Sequence, residues 1–166
     1  IMTHSDNKGL VLPQNLAPYQ VVIVPIYKRA EQQKQIAQVA LKIKLLLEGK
    51  NIRVKFDNRD KFKPGFKFNE YELKGVPIRI AIGPNDLKKG SVEIARRDNL
   101  SKTVISQEEV VSYIDLHLKE IQLALFDKAK SFREQKITTV DNFEDFKKIL
   151  DKKGGFISAH WDGTEL

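Results

Sequence analysis

Two different spacings of apolar residues alternate along the first part of the chain. Residues 20–26 (QVVIVPI) are a continuous apolar and β-branched run, which is typical of a strand covered on both faces. Apolar residues then recur every three or four positions, as on one face of a helix: Ile36, Val39, Ile43 and Leu46. This pattern predicts a helix over residues 29–48 that ends at Gly49. Residues 52–57 (IRVKFD) predict a second strand, so the order strand, helix, strand indicates a right-handed βαβ unit.

A short helix with a divided surface is predicted next, over residues 63–75 (KPGFKFNEYELKG). At about 100° per residue, the side expected to pack carries Phe66, Asn69, Glu70 and Leu73. Phe68 and Glu72 lie one turn apart on roughly the opposite side. Because a phenylalanine can stack on a base and a carboxylate can accept the N–H groups of guanine, this pair predicts contact with an unpaired nucleobase. The alternative is that Phe68 packs under a neighbouring loop and that Glu72 pairs with a lysine.

The third predicted strand, residues 76–83 (VPIRIAIG), alternates between two faces. Its apolar face is expected to carry Val76, Ile78, Ile80 and Ile82. Arg79 projects from the other face, either as a ligand contact or as a solvated strand residue. The next residues, 83–86 (GPND), predict a turn at the carboxyl end of the strand, where ligand sites of open α/β sheets tend to lie.

A hairpin and a long helix are predicted in the second half of the chain. Residues 91–98 and 102–106 form two strands joined near Asn99. Ser106 and Glu109 have the spacing of a capping box at the start of a helix. The apolar stripe of that helix comprises Val110, Ile114, Leu118, Ile121, Leu125, Ala129 and Phe132.

The last predicted elements are a helix over residues 141–155 and a strand-like segment that starts at residue 156 (FISA). All the elements together predict an α/β fold of three layers. In this fold a mixed sheet of about five strands is flanked by three main helices.

Composition narrows the class of protein. With 166 residues and 41% apolar side chains, the chain suits one compact globular domain with a short appendage. The absence of cysteine excludes disulfides and thiolate metal sites, and neither a membrane-spanning run nor a signal-peptide pattern is present in the sequence. The net charge of +7 favours an anionic partner. Residues 57–102 hold eleven basic and seven acidic residues, so more than half of the excess lies there, either as a binding surface or as a solvated charged surface.

Catalytic motifs are not evident in the sequence. His4, Ser5 and Asp6 have the residue types of a hydrolase triad, but adjacent residues cannot converge on one reacting atom. The three histidines, at positions 4, 117 and 160, lack metal-ligand spacing, and His117 is expected to be a surface or packing residue of the long helix. Neither common type of glycine-rich phosphate loop occurs.

Three segments resemble the anticodon-binding region of prolyl-tRNA synthetases of the archaeal/eukaryote-like form. They are LAPYQVVIVPI at residues 16–26, FDNRDKFKPGFKFNEYELKGVPIRIAIGPNDL at 56–87, and GGFISAHWDGT at 154–164. The segment KFNEYELKGVPIRIAIGP at residues 67–84 is specific to this family, since the related synthetases for histidine, threonine and glycine share the fold but not this sequence. The resemblance runs over nearly the whole chain.

The resemblance also implies a domain organisation. Residues 1–18 correspond to a linker that follows the catalytic domain, and residues 19–136 to the anticodon-binding domain. Residues 137–166 correspond to a connecting helix and the start of a truncated C-terminal extension that often binds zinc. The chain is therefore expected to be a fragment that lacks catalytic residues, metal and cofactor. The parent is expected to be a cytoplasmic proline–tRNA ligase that uses ATP and Mg²⁺, does not associate with membranes, and dimerises through its catalytic domain.

The resemblance places the base-reading positions of the family on five residues: Phe68, Glu72, Arg79, Asp86 and Lys102. Phe68 can stack, the two carboxylates can accept from the Watson–Crick edge of guanine, and Arg79 can donate to guanine O6 or N7 or to phosphate. Lys102 can neutralise a phosphate or donate to a base carbonyl. Two further candidates are Arg97 and Asn85, where some relatives carry lysine.

These assignments imply recognition of the proline anticodon, whose second and third bases are guanine. The alternative is an accessory protein-interaction or general RNA-binding module with the same fold.

Overall fold

The structure, a computed structural model, describes residues 2–152, 154–161 and 163. Its contacts fall into two units, Ile1–Leu125 and Phe126–Leu166. The elements of the first unit are a 3-10 helix (Met2–His4), β1 (Val21–Pro25), α1 (Ala30–Glu48), β2 (Val54–Phe56), α2 (Pro64–Leu73), β3 (Ile78–Ile82), α3 (Pro84–Lys89), β4 (Ser91–Arg96) and β5 (Lys102–Ser106). A long helix, α4 (Val110–Lys136), begins in the first unit and ends in the second. The elements that follow are β6 (Ile137–Val140), α5 (Phe143–Lys152) and β7 (Phe156–Ala159).

One mixed sheet forms the centre of the first unit, with the strand order β2-β1-β3-β4-β5. β1 is parallel to β2 and β3, whereas β4 is antiparallel to β3 and β5. The register places one residue of each strand in a single row across the sheet: Lys55, Val22, Arg79, Ala95 and Lys102. The side chains of directly paired residues point to the same face, so Arg79 and Lys102 share a face of the sheet. The predicted mixed five-stranded α/β fold is confirmed.

The main core lies between one face of the sheet and the helices α1 and α4. Alternate residues of the central strands point into it, including Ile23, Ile80 and Ile94. Burial of each such side chain contributes about 1.5–3 kcal/mol relative to exposure. The stripe predicted for α4 is buried from Val110 to Leu125, whereas Phe132 is exposed.

The buried side of α1 follows a strict helical period: Ile36, Ala40, Ile43 and Leu47. The prediction that Leu46 belongs to this stripe is wrong, because Leu46 lies about 100° from Leu47 around the helix axis and is exposed.

Helix α2 covers the other face of the sheet, which makes the third layer. Tyr71 is buried there and Phe68 is half-buried, against Val22 and Val24 of β1. The packing side predicted for α2 is wrong, because Phe66 is 53% exposed and Leu73 is 60% exposed. The sequence pattern failed because a lysine, Lys67, takes an interior position beside Tyr71. Val76 also packs on this face, since it precedes β3 rather than belonging to its alternation.

The turn predicted at residues 83–86 is instead the start of α3. Pro84 occupies the first turn of this helix, where a missing N–H costs nothing. A side-chain oxygen of Asp86 accepts the backbone N–H of Gly83 at 2.8 Å, which caps the helix. The helix ends at Gly90, whose φ of +62° is readily adopted by glycine.

In the second unit, β6 and β7 are parallel and α5 lies between them in the chain. The last predicted helix and the strand-like tail are both confirmed, although the helix is shorter than predicted. Asn142 caps α5, because its side-chain oxygen accepts the backbone N–H of Asp145 at 2.9 Å. The sequence pattern missed β6. Among the described residues, no helix is both long and apolar enough to cross a membrane.

Candidate nucleic-acid interface

Four of the predicted site residues line one depression beside α2: Phe68, Glu72, Arg79 and Arg97. The depression also contacts Tyr71, Val76 and Ala95. Its volume is about 20 Å³, which is roughly the space that one water molecule needs. A base is therefore expected to lie across the opening rather than enter it.

Arg79 is the residue of β3 that lines the depression. Its side chain is only 7% exposed, and its Cζ atom lies 3.7 Å from the centre of the Phe68 ring. Its Nη1 and Nη2 atoms donate to Glu93 Oε1 at 3.4 and 3.5 Å, near the limit for a hydrogen bond. Burial lowers the pKa of the guanidinium, although the carboxylates of Glu93 and Glu72 oppose this shift. Arg79 is thus a buried charge with weak partners, and the alternative that it is a solvated strand residue is wrong.

The stacking surface differs from the one predicted. One part of the Phe68 ring packs on the apolar cluster of β1, and the guanidinium of Arg79 lies over the ring. A base can therefore extend this stack across the guanidinium plane or meet the remaining ring surface. Arginine planes stack on nucleobases much as aromatic rings do.

Glu72 presents a carboxylate without a protein partner. Its side-chain oxygens make no hydrogen bond and no ion pair with any residue that the structure describes. The lysine partner that the alternative assigned to Glu72 belongs instead to Glu70, which pairs with Lys74 at 2.5 Å and with Arg59 at 2.6 Å. The carboxylate of Glu72 consequently remains available to accept from a ligand.

Lys102 lies in the same row of the sheet as Arg79, two strands away. Neighbouring strands are about 4.8 Å apart, so the two backbones are about 10 Å apart. Lys102 is exposed, and so is Val104, which shares its face of β5. This side of β4 and β5 is therefore open, and it continues the surface that starts at the depression.

Asp86 and Asn85 lie beyond the other end of β3. Ile82, at the end of β3, lies three positions after Arg79, which corresponds to about 10 Å along the strand. Asn85 is exposed beside Lys28 and Arg29. One oxygen of Asp86 is engaged in the cap of α3. The predicted residues thus form two groups along β3, rather than one pocket.

Arg97 is placed where a structural role is favoured over contact with a ligand. It is 3% exposed, and its guanidinium donates to both side-chain oxygens of Asp6, at 2.8 and 2.5 Å. It also donates to the carbonyl oxygens of Gly9 and Glu72. These hydrogen bonds hold the pKa of Asp6 below its usual range. Arg97 therefore fastens the N-terminal segment to the end of α2.

The close approach of the N-terminal segment to α2 requires a glycine. The backbone N–H of Leu10 donates to the carbonyl of Leu73 at 3.0 Å. At Gly75 φ is +69°, and a Cβ atom there would lie 2.7 Å from the carbonyl oxygen of Leu10. Gly75 thus ends α2 and leaves room for the N-terminal segment. Residues 10–12, predicted to belong to a linker, lie within the first unit and donate hydrogen bonds to the carbonyls of Leu73 and Gly75.

A buried polar network that sequence reasoning missed holds α2 in place. Asp57, just after β2, accepts hydrogen bonds from Arg59 and from the hydroxyl of Tyr71, and its carboxylate lies 3.6 Å from the ammonium of Lys67. Burial by itself raises the pKa of Asp57, but the hydrogen bonds and the charge of Lys67 outweigh it and leave the pKa below its usual range. Phe68 and Glu72 are the chain neighbours of the two α2 residues in this network, so the network fixes their positions.

A signal for this network was present in the sequence as a lysine and a tyrosine one helical turn apart, Lys67 and Tyr71. The partner at Asp57 was not evident. Elsewhere, His117 packs against the Tyr113 ring at 3.9 Å between centres and contacts Arg96, as a packing residue of α4. In the described part of the chain no three His, Cys, Asp or Glu side chains are grouped so as to hold a metal ion.

The chain is similar to anticodon-binding domains and to a part of known tRNA ligases. A model of the family "Anticodon binding domain" matches residues 20–116. Proline–tRNA ligases of Christiangramia forsetii and Flavobacterium johnsoniae are 61% and 58% identical over 164 residues, which is 99% of this chain and 33% of each relative. A crystal structure of prolyl-tRNA synthetase from Cryptosporidium parvum, complexed with L-proline and AMP, is similar with a TM-score of 0.87 and 40% identity. That similarity covers 97% of this chain and 34% of the other. The chain thus spans about a third of the length of the relatives that it matches.

Proposed function

This chain belongs to the anticodon-binding domain family, and we propose on that basis that it binds the anticodon loop of proline tRNA within a proline–tRNA ligase. One observation carries the proposal. A buried, weakly paired arginine, Arg79, lies in the same depression as an unpaired carboxylate, Glu72. The high identity to proline–tRNA ligases supports the choice of tRNA.

The two side chains are complementary to guanine. The Watson–Crick edge of guanine carries donors at N1 and N2 and an acceptor at O6. Glu72 accepts from the two donors, and Arg79 donates to O6 or to the neighbouring N7. Adenine reverses this pattern, because its N1 is an acceptor and its N6 amine is a donor. Adenine would therefore face the carboxylate with an acceptor and the arginine with a donor.

The second group of residues suits a second base. Asp86 has one carboxylate oxygen engaged by Gly83, while its other oxygen makes no hydrogen bond within the described part of the chain. We assign the neighbouring guanine to that oxygen, with the amide of Asn85 beside it. The part of β3 from Arg79 to Ile82, about 10 Å long, separates the two groups of residues. This separation fits two splayed bases rather than one.

Affinity and selectivity are divided between charges of opposite sign. Lys102 lies on the open part of the sheet, where it can meet the backbone of the loop. A carboxylate repels phosphates, so Glu72 lowers non-specific affinity while it raises discrimination between bases. Arg97 contributes by holding the end of α2 rather than by touching RNA.

We propose that the whole enzyme activates proline with ATP and transfers the activated proline to tRNA. We place these steps, and the bound Mg²⁺, in a catalytic domain outside this chain. Segment 1–18 would follow that domain, residues 19–136 would form the anticodon-binding domain, and residues 137–166 would begin the C-terminal extension. Family resemblance supports a homodimer in the cytoplasm.

Replacing Glu72 by alanine tests the proposed function. Discrimination between stem-loops with guanine and adenine at the second anticodon position is expected to fall by about 1–3 kcal/mol, because the acceptor of the guanine edge is lost. The measurement is the Kd for each stem-loop at one fixed salt concentration. Glu108→Ala, which removes an exposed carboxylate elsewhere in the first unit, is the matched control.

Two outcomes would contradict this assignment. Equal weakening of both stem-loops by Glu72→Ala would show that the carboxylate does not read guanine. If the unaltered chain binds the anticodon stem-loops of proline tRNA and of unrelated tRNAs equally well, it is a general RNA-binding module.

Replacing Lys102 by alanine tests the phosphate contact. The slope of log affinity against log salt is expected to become shallower by about 0.7–0.9, because one phosphate neutralisation is lost. Lys50→Ala, at an exposed position after α1, is the control that removes the same charge. An unchanged slope would remove Lys102 from the phosphate-binding residues.

A further inference from the structure

The outer side of α2 carries a stacked aromatic pair that the proposed function does not use. The rings of Phe62 and Phe66 lie 4.7 Å apart between centres and are inclined by 14°. The Cζ atom of Arg59 lies 4.9 Å from the centre of the Phe62 ring. Within the described part of the chain, Phe62 is the only ring over Phe66, and no cation lies over it. The stack therefore ends at Phe66.

The two exposed rings of this pair are not part of the packing between α2 and the sheet. Phe66 is 53% exposed and Phe62 is 38% exposed. The interior positions of α2 are taken by Lys67 and Tyr71, which the carboxylate of Asp57 holds. An aromatic stack that points away from the core leaves apolar surface in water, at a cost of about 25 cal/mol per Å².

The charges around the stack favour a nucleic acid as its occupant. Lys61 and Lys63 flank Phe62 in the chain and are exposed, and neither ammonium is paired within the described residues. The nearby carboxylates are already engaged, since Asp57 and Glu70 contact Arg59 and Asp60 contacts Tyr27 and Gln33. Residues 57–70 carry four basic and three acidic side chains, so the local charge is positive, which suits a phosphate backbone rather than an apolar protein surface.

Space for a nucleotide lies next to the stack. A cavity of about 330 Å³ lies beside Phe62, and three lysines and one carboxylate are among the residues that line it, which are Pro25, Tyr27, Asp60, Lys61, Phe62, Lys63, Pro64 and Lys67. This volume is at the lower end of the range typical of small-molecule sites. Aromatic platforms with flanking basic residues bind single-stranded nucleic acid with little sequence preference.

From this geometry we propose that Phe66, backed by Phe62 and Arg59, stacks on a further unpaired base of the bound RNA, beyond the two guanines, while Lys61 and Lys63 contact its flanking phosphates. The inference rests on the proposed RNA-binding function. Phe66 and Phe68 are two residues apart, about 200° around the helix. Helix α2 therefore presents one stacking surface on each side, and the outer surface adds affinity without selecting a base.

Three substitutions of Phe66 in the 166-residue chain test the platform. Phe66→Ala is expected to weaken binding of the proline anticodon stem-loop about tenfold, and by the same factor when its guanines are replaced. Phe66→Leu keeps an apolar side chain without a ring and is expected to weaken binding similarly, whereas Phe66→Trp is expected to retain it. Phe132→Ala, at another exposed phenylalanine with a lysine over its ring, is the matched control. The measurement is fluorescence anisotropy of labelled RNA at fixed salt.

The outcomes separate this inference from the proposed function. Unchanged affinity of Phe66→Ala, or wild-type affinity of Phe66→Leu, would overturn the stacking platform. A concentration-dependent dimer that Phe66→Ala abolishes, measured by sedimentation, would assign the surface to a second copy of the chain instead. If the unaltered chain shows no preference for guanine, the proposed function fails, while the dependence of RNA binding on a ring at position 66 still tests the platform.

Discussion

Replacing Asp57 by asparagine is expected to lower the free energy of unfolding of the first unit by about 3–5 kcal/mol. The reason is the position of Lys67, which is 2% exposed and depends on Asp57 for both its ion pair and its backbone hydrogen bond acceptor. Asparagine has nearly the same volume but no charge, so the ammonium would be buried without a counter-ion. The same substitution also takes the charged acceptor away from Arg59 and Tyr71.

Urea unfolding at neutral pH measures this effect. All four tyrosines of the chain lie in residues 1–125, so their near-UV circular dichroism reports on the first unit, whereas the single tryptophan, Trp161, lies in the second. Asp115→Asn, which breaks an exposed pair with Lys119, is the control and is expected to cost less than about 1 kcal/mol. The double variant Asp57→Asn/Lys67→Met is expected to recover much of the loss, since it removes both charges. Unchanged stability of Asp57→Asn would show that the network is dispensable.

The same network predicts sensitivity to acid. Because the pKa of Asp57 is lower in the folded than in the unfolded chain, its contribution is fully present above the ordinary carboxyl pKa of about 4. The contribution is lost as the pH falls from there through the lower folded value. Asp6, held by Arg97, changes with pH in the same direction. Stability of the unaltered chain is therefore expected to fall more steeply in acid than that of Asp57→Asn.

Replacing Arg79 by methionine is expected to separate stability from binding. The free energy of unfolding should stay the same or rise by up to about 4 kcal/mol, because an apolar side chain of similar length replaces a buried charge with weak partners. Glu93, which loses its partner, is 35% exposed and can be solvated by water. Binding of the guanine stem-loop should weaken by about 1–3 kcal/mol, since the donor to O6 or N7 is lost.

A better-paired arginine provides the comparison for this prediction. Arg96 donates to Asp98 at 2.8 Å and to Glu120 at 3.0 Å, so Arg96→Met is expected to destabilise the chain. Urea unfolding and the Kd for the stem-loop are measured for both variants. If Arg79→Met lowers the free energy of unfolding as much as Arg96→Met does, Arg79 has a structural role and the proposed ligand-binding role is contradicted. Functional sites often contain groups in energetically unfavourable surroundings, such as a buried charge with weak partners, and these groups lower the stability of the fold.

Whether a segment forms a helix or a strand could be predicted in most cases, because the spacing of its apolar residues is visible within a short stretch of sequence. The β-branched run at β1 and the helical period of α1 each lie within about twenty residues, and the structure confirms both. The sequence is ambiguous at α3, where Pro84 and Asp86 are compatible with a turn or a helix start. The backbone N–H of Gly83 donates to the side chain of Asp86, and a helix of six residues forms.

The candidate site was predictable as a set of residues but not as an arrangement. Resemblance to a family indicated Phe68, Glu72 and Arg79, and the structure brings them together at one depression. Arg97 was a further candidate, and the structure pairs it with Asp6, 91 positions earlier in the chain. A contact over that distance leaves no local pattern, so it could not be inferred from spacing.

The sequence was sufficient to establish the kinds of elements, their order and a positive charge that favours an anionic partner. The folded chain was needed to establish which side of α2 is buried, and hence that Phe66 faces solvent while Phe68 lies under Arg79. The physical reason is that the burial of Lys67 depends on a carboxylate ten residues away, at Asp57. Apolar periodicity contains no information about such a partner, because a buried charge is tolerated only where the fold supplies its counter-ion.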